Sequence, residues 1–546
     1  MKFYKNNNIK TLSITCGKLR YFILAICMIC SLCVSAQMTI DFSTNSPLRK
    51  LQIAEMAINN LYVDSVDEKK LVEDAIKGML EKLDPHSAYS DPDEVKALNE
   101  PLQGTFDGIG VQFNMVDDTL LVIQPVSKGP SEKVGIIAGD RIISVNDTAI
   151  AGVKMKKEDI MKRLRGPRGT TVKLGIVRRG IEEVLYFTVK RDKIPVKSID
   201  AVYMIRPKVG YIRIGNFGAT TYREFMEGIK LLKKQGMKDL ILDLQDNGGG
   251  YLDAAVEISN EFLGKDELIV YTEGRRVVRK DFRSKGNGEM SQGKVFVLTN
   301  EFTASAAEIV SGAIQDNDRG CIIGRRTFGK GLVQRPLELP DGSMIRLTIA
   351  RYYTPSGRCI QKPYTMGDEK SYEEDLLDRY QHGEFFSQDS IRHSGKAYHT
   401  SIGRVVYGGG GITPDIFIPE DTTNVTSYYK EASMTGLILQ FAFNYTDNNR
   451  QKMNEFAEMK ELAAYLVKQN TVEKFAEFAN KNGLKRRNLM IKKSHKLLER
   501  YINSRIIYNM LNDEAWTQYL NQDDPAIAKT LDIFRRKAAF PKKAAL

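Results

Sequence analysis

A chain of 546 residues with 42% apolar content is too long for one compact domain, and three or four domains of ~100–200 residues are expected. Its formal net charge of +12 is dispersed, which argues against a dedicated nucleic-acid binder. The densest basic stretch, 485–500, carries Leu489, Ile491, Leu497 and Leu498 at helical spacing and reads as the solvated face of a helix.

Residues 1–36 have the pattern of a secretory signal. Lys2, Lys5, Lys10, Lys18 and Arg20 precede the apolar run 21–34, and Val34-Ser35-Ala36 supplies the small-residue cleavage site. The run is short for a bilayer-spanning helix, which needs ~20 apolar residues. Cleavage after Ala36 is expected, and it lowers the net charge from +12 to +7. Cys33 follows Leu32, not the small residue that a lipidation site would place there. Of six cysteines only Cys321 and Cys359 lie beyond this segment; in an exported chain they either pair or remain buried thiols.

From 46 to 100 the pattern is helical. Leu51, Ala54, Ala57, Ile58 and Leu61, then Leu71, Ala75, Ile76, Met79, Leu80 and Leu83, recur at three- and four-residue steps, and Asp84-Pro85 ends the second helix. Across 106–191 the signals change to short strands at 120–124, 140–145, 172–177 and 184–189, with one helix at 157–164, so a separate β-rich module is expected. Residues 198–420 form the next unit. Strands at 209–214, 240–244 and 295–298 alternate with helices at 251–263 and 305–314, and strands 332–337 and 344–353 flank the turn Pro340-Asp341-Gly342. This alternation argues an α/β core, interrupted by a polar insertion at 364–402. Residues 427–546 read as a helical extension. The fold class expected is α+β and multidomain: helical N-terminal region, β-rich module, α/β core, helical C-terminal extension.

Within the β-rich module, Gly108-Ile109-Gly110-Val111 precedes a strand, and Gly129-Pro130-Ser131 leads through Ala138-Gly139-Asp140 to Val145 and Asn146. The set resembles PDZ domains. A free C-terminal carboxylate needs backbone N–H donors, and glycines let it approach them. The resemblance implies that a peptide adds as a strand beside 110–113, with its side chains against the helix carrying Ile160 and Leu164. The peptide-binding residues expected are Gly108, Ile109, Gly110, Val111, Ile160 and Leu164.

A hydrolytic serine needs a base to take its proton and donors for the oxyanion. Ser305, in Thr303-Ala304-Ser305-Ala306-Ala307-Glu308, falls between a strand and a helix, where unpaired N–H groups favour developing negative charge; alone, it would be read as a helix cap. Lys330, in Gly329-Lys330-Gly331, can be desolvated among glycines and apolar strands, which lowers its pKa and yields the neutral amine that acts as base. Alone, it would be a solvated lysine in a tight turn.

Together these motifs resemble the C-terminal processing peptidases, or tail-specific proteases. The resemblance covers about 46–420 and rests also on Leu83-Asp84-Pro85-His86-Ser87, on Asp243-Leu244-Gln245-Asp246-Asn247-Gly248-Gly249-Gly250, on Tyr353-Thr354-Pro355-Ser356-Gly357-Arg358, and on Gly409-Gly410-Gly411-Ile412 with Pro414-Asp415. It implies a serine endopeptidase in which Ser305 attacks the scissile carbonyl, Lys330 is the general base and Gln334 orients the lysine. Ala306 N–H would be one oxyanion donor. The second would come from 248–250, and Gly249 is chosen because the family often has proline, which lacks an N–H, where Gly248 stands. The family usually has arginine where Gln245 stands, and the region beyond 427 lies outside its common core.

The resemblance further implies no cofactor, protein or peptide substrates with accessible C-terminal tails, and no nucleic acid. With the signal, it implies export to the periplasm or cell envelope, with membrane association as the uncleaved alternative. A regulatory adaptor and an oligomer stay open. Two rivals carry less. No Gly-x-Ser-x-Gly elbow surrounds Ser305 for a Ser/His/Asp hydrolase, and the spacing of His393 and His399 suggests no metal site. A catalytically dead tail-binding scaffold would be expected to lack the serine or the lysine.

Overall fold

The computed structural model describes residues 46–536 except 117 and 394; the expected signal at 1–36 lies outside them. The chain divides after Gly78 into two compact units. In the first, the periodic apolar positions form the helix Pro47–Leu61, with proline in its first turn, and a second helix, Glu68–Leu80, begins.

The second unit opens with the 84–87 turn and the helix Pro92–Gln103. A capping box between Asp91 and Glu94 starts this helix, and Gly104 at φ +71° ends it. Thr105–Gly108 then pairs antiparallel with Asp192–Pro195. Between these two strands lies the β-rich module, whose sheet runs Val111–Val116, Thr119–Pro125, Arg141–Val145, Thr171–Val177, Leu185–Lys190 in spatial order. Alternate residues Leu120, Val122, Ile142, Leu174 and Ile176 fill its core together with Ile160 of the helix Lys157–Leu164. Val111–Val116 is an edge strand.

The α/β core is built on a six-stranded sheet in the order Ile199–Arg206, Val209–Ile214, Asp239–Asp243, Val295–Thr299, Cys321–Gly324, Ile416–Phe417. Its first pair is antiparallel and every later pair parallel. All five residues of Val295–Thr299 are buried, as expected of a parallel strand covered on both faces. The helices Thr221–Lys234, Leu252–Asn260 and Ala306–Asp316 cover one face. The other is covered by the last helix of the extension, Pro525–Arg535, whose Ala526, Ile527 and Phe534 pack on Tyr211, Ile241, Phe296 and Ile323. A second, antiparallel sheet joins Ala88–Ser90, Met344–Tyr353, Lys265–Gly274 and Val277–Lys285, with Leu332–Glu338 beside Met344–Tyr353.

The polar insertion is less solvated than its composition suggests. In its helix Glu369–Gln381, Tyr372 and Arg379 are buried, and Arg379 pairs with buried Glu384, which also binds Arg326. The motif residue Arg358 is fully buried, with its guanidinium 2.7 Å from Asp316 Oδ1. Cys321 and Cys359 are both free thiols, and burial pushes each thiol's pKa up.

Candidate active site

The carboxyl ends of three successive parallel strands place the candidate residues. Asp239–Asp243 leads into the glycine run, Val295–Thr299 into Ser305, and Cys321–Gly324 into Lys330. Side chains stitch these loops together. Asn300 Oδ1 accepts from Asp246 N at 3.0 Å, Thr303 Oγ1 donates to Leu244 O at 2.8 Å, and Ala304 N donates to Asn247 O at 2.9 Å. Phe328 N donates to Thr303 O at 2.9 Å, joining the lysine loop to the serine loop. Sites at the carboxyl ends of such strands are the rule in open α/β sheets.

Ser305 caps the buried helix Ala306–Asp316 at φ +56°, a left-handed backbone that is costly for a residue with a Cβ. Glu308, wholly buried one turn later, holds it there. Its Oε2 accepts from Ser305 N at 2.8 Å and from Lys330 N at 2.9 Å. Its Oε1 accepts from Gly329 N at 2.8 Å and from Thr327 Oγ1 at 2.5 Å. One carboxylate oxygen therefore ties the backbones of the candidate nucleophile and the candidate base. Tyr352, 2% exposed, adds a second tie by donating its hydroxyl to Ser305 O at 3.1 Å and to Lys330 O.

Burial lowers the pKa of Lys330, and nearby Arg346 lowers it further, against the opposing carboxylates of Glu308 and Asp84. Burial raises the Glu308 carboxyl to about 7 in spite of its four donors. Gln334 donates through Nε2 to Thr348 Oγ1 at 3.2 Å, and Thr348 Oγ1 donates to Asp84 Oδ1 at 2.8 Å. With its nitrogen engaged, Gln334 has its carbonyl oxygen as the end able to accept from an amine. Strand Ala88–Ser90, paired with Met344–Tyr353, brings the 84–87 turn here. His86, in that turn, has its Nε2 2.9 Å from Tyr372 Oη. Burial and then Lys330 lower its pKa to about 4, so it is neutral where the enzyme would work.

Gly249 has φ +97°, and a Cβ there would sit 2.7 Å from Ser305 Cβ and 2.8 Å from Ala304 O. Only glycine fits against the serine. Its N–H, however, donates to the buried Asn247 Oδ1 at 2.8 Å. The candidate second oxyanion donor is thus engaged by a buried amide oxygen in this structure. The candidate donor Ala306 begins the helix, where N–H groups point outward from its end. Gln245, where the family usually carries arginine, has its carbonyl oxygen bound by Arg213 Nη2 at 3.2 Å, and Arg213 also pairs with Asp243 and Asp246.

In the β-rich module, Gly108, Ile109, Gly110, Val111 and Leu164 line one cavity of about 350 Å³. Gly110 has φ +72°, and a Cβ there would meet Ile194 Cδ1 at 2.9 Å. Ile160 is fully buried in the module's core, and the helix instead turns Lys157 and Met161 to the cavity. Leu164, one turn beyond Ile160, is a core residue of this helix that also reaches the cavity.

The sequence is similar to known proteins over each of these regions. The model of peptidase family S41 matches 208–371, that of the PDZ domain 108–191, and that of the activating protease CtpB N-terminal domain 32–94. A family of unknown function matches 428–512. The carboxy-terminal-processing protease of Bartonella bacilliformis is 36% identical over 355 residues, which are 63% of this chain and 80% of that one. The chain belongs to the carboxy-terminal processing proteases. Carboxy-terminal processing protease CtpA of Bacillus subtilis is 37% identical over 319 residues, 58% of this protease and 67% of that one. A solved photosystem II D1 C-terminal processing protease is 26% identical, covers 68% of this chain and 87% of that one, and has a TM-score of 0.36.

This processing protease is thus a serine-type endopeptidase with a PDZ domain. Reading the sequence missed Glu308, Tyr352, Asn247 and Tyr372. A signal existed for the first, since glutamate three residues after a serine marks a capping box; the others act through contacts that only folding brings together.

Proposed function

We propose that this protease is an exported Ser/Lys endopeptidase that docks protein C-terminal tails on its PDZ groove and cuts them through an acyl-enzyme. The observation that carries the reading is the Glu308 carboxylate, which binds the backbone N–H of both Ser305 and Lys330 and so holds serine and lysine loops together. Neutral Lys330 takes the Ser305 hydroxyl proton as Oγ attacks the scissile carbonyl, and Ala306 N–H receives the oxyanion. The tetrahedral adduct collapses, the leaving amine takes the proton from Lys330, and an ester on Ser305 remains. Water, deprotonated by Lys330, cleaves that ester and regenerates the serine. Gln334 presents its carbonyl oxygen to the amine. The 1–36 pattern supports export, to a periplasm or cell envelope.

The test is cleavage of an unfolded protein bearing either a free or an amidated C-terminus, by wild type and by Ser305→Ala. Cleavage of the free-tailed form, slower on the amidated form and absent with Ser305→Ala, is expected. Persistent cleavage by Ser305→Ala would remove the nucleophile, and equal rates on both substrates would remove tail docking.

A further inference from the structure

The PDZ groove is not built by the PDZ domain alone. The cavity holding Gly110, Val111 and Met161 is also lined by Tyr508, nearly four hundred residues later in the chain, on the helix His495–Met510. That helix buries Ile502, Ile506 and Ile507 in the extension's own core, leaving Tyr508 half-buried on its flank, edge-on to Trp516 with ring centroids 6.0 Å apart. Burial raises the pKa of the phenol, which stays neutral.

The extension is also fastened to the same domain. Phe443, 4% exposed, packs with Leu121 and Ile123 on the sheet face away from the PDZ core. Asp447 accepts from Arg141 Nη2 at 2.7 Å through its side chain and from Arg179 Nη1 at 2.9 Å through its carbonyl. Tyr508 therefore has a fixed place against the groove.

The edge strand gives this placement a meaning. Val111, Phe113 and Met115 pack toward the PDZ core, while Val116, of the opposite parity, packs with Leu121, Ile123 and Phe443. A tail added beside this strand alternates in the same way. One set of its side chains enters the groove at Met161 and Leu164; the other set faces outward, where Ile123 and Tyr508 also line the cavity.

We infer that Tyr508 is a specificity-determining residue of the tail site, and that its ring contacts the outward-facing side chains of the docked tail and selects apolar or aromatic residues there. The tail is then read on both faces, and the helical extension is part of the reader. This inference rests on the proposal that tails dock in the PDZ groove.

The experiment uses the full chain carrying Ser305→Ala, so that nothing is cut, and follows fluorescence anisotropy of labelled hexapeptides varied one position at a time. Free and amidated C-termini are compared, with Tyr508→Ala and Tyr508→Phe added to the background and the melting temperature of each recorded. With Tyr508 present, an apolar or aromatic residue at alternate positions is expected to bind about fivefold more tightly than glycine, in keeping with an aromatic contact. Tyr508→Ala should erase that preference at positions of one parity and leave the other parity intact, and Tyr508→Phe should retain both. An unchanged profile in Tyr508→Ala, with amidation still weakening binding, would overturn the role of Tyr508 while leaving tail docking in place. A uniform loss at every position with a lowered melting temperature would also overturn it, as a structural role. Indifference to amidation throughout would instead remove the docking proposal on which it rests.

Discussion

Lys330→Ala is expected to lower kcat/KM by about 10³- to 10⁴-fold on every protein substrate, the scale on which positioned general bases act. Among the described residues the two other titratable groups of the site are taken: His86 is engaged by Tyr372, and the Glu308 carboxylate is filled by four donors. The wild-type rate should rise with pH along a limb lying below the ordinary lysine value of 10.5, because burial and Arg346 both favour the neutral amine. Removing a neighbouring positive charge makes protonation easier, so Arg346→Gln should move that limb to higher pH and slow the enzyme near pH 8. Steady-state kinetics from pH 6 to 10 measure both. A Lys330→Ala enzyme that keeps most of its activity, or an Arg346→Gln limb that moves to lower pH, would contradict the assignment.

Glu308→Ala is the second large effect. It strands the N–H groups of Ser305, Gly329 and Lys330, and a buried donor left unpaired costs about 1–3 kcal/mol. A loss of roughly 3–9 kcal/mol of stability is expected on that scale, with kcat reduced at least about a hundredfold because a 1 Å misplacement of reacting groups has that consequence. Glu308→Gln should fall between, since its amide nitrogen must face a donor. The carboxyl also leaves a pH signature. Its pKa is raised in the folded protein from 4.5 to about 7, so the folded state favours the protonated form. The stability this confers is fully present below 4.5 and is lost as pH rises through 7. Thermal melts between pH 4 and 8 should show that decline in wild type and a smaller one in Glu308→Gln, where nothing titrates.

The elements legible in the sequence were those whose periodicity and end signals agree. The helix Lys157–Leu164 and the strands Val209–Ile214 and Met344–Tyr353 lie where the pattern put them. The hairpin of Lys265–Gly274 and Val277–Lys285 was not legible, because most of its second strand is exposed and reads Val-Val-Arg-Lys-Asp-Phe-Arg-Ser-Lys. Ile199–Arg206 and Thr221–Lys234 were overlooked although each carries an apolar stripe. At the site, Ser305 and Lys330 were readable from the residues around them, whereas the asparagine that bends back to take the Gly249 N–H two residues later was not. The burial of Tyr372, Arg379 and Glu384 was hidden by the polar composition of their segment; ion pairs and ring contacts do there what apolar residues do elsewhere.

Helical spacing showed that residues beyond 427 are helices and could not show what they cover. The last of them, Pro525–Arg535, roofs the face of the catalytic sheet formed by Tyr211, Ile241, Phe296 and Ile323. Those strands leave the ribosome before the extension does and must wait, with that apolar face wet, until Pro525–Arg535 has been made. Assembly of the hydrolytic centre is thereby tied to synthesis of the extension: a polypeptide terminated before Pro525 carries Ser305 and Lys330 but lacks the roof over the sheet that positions them.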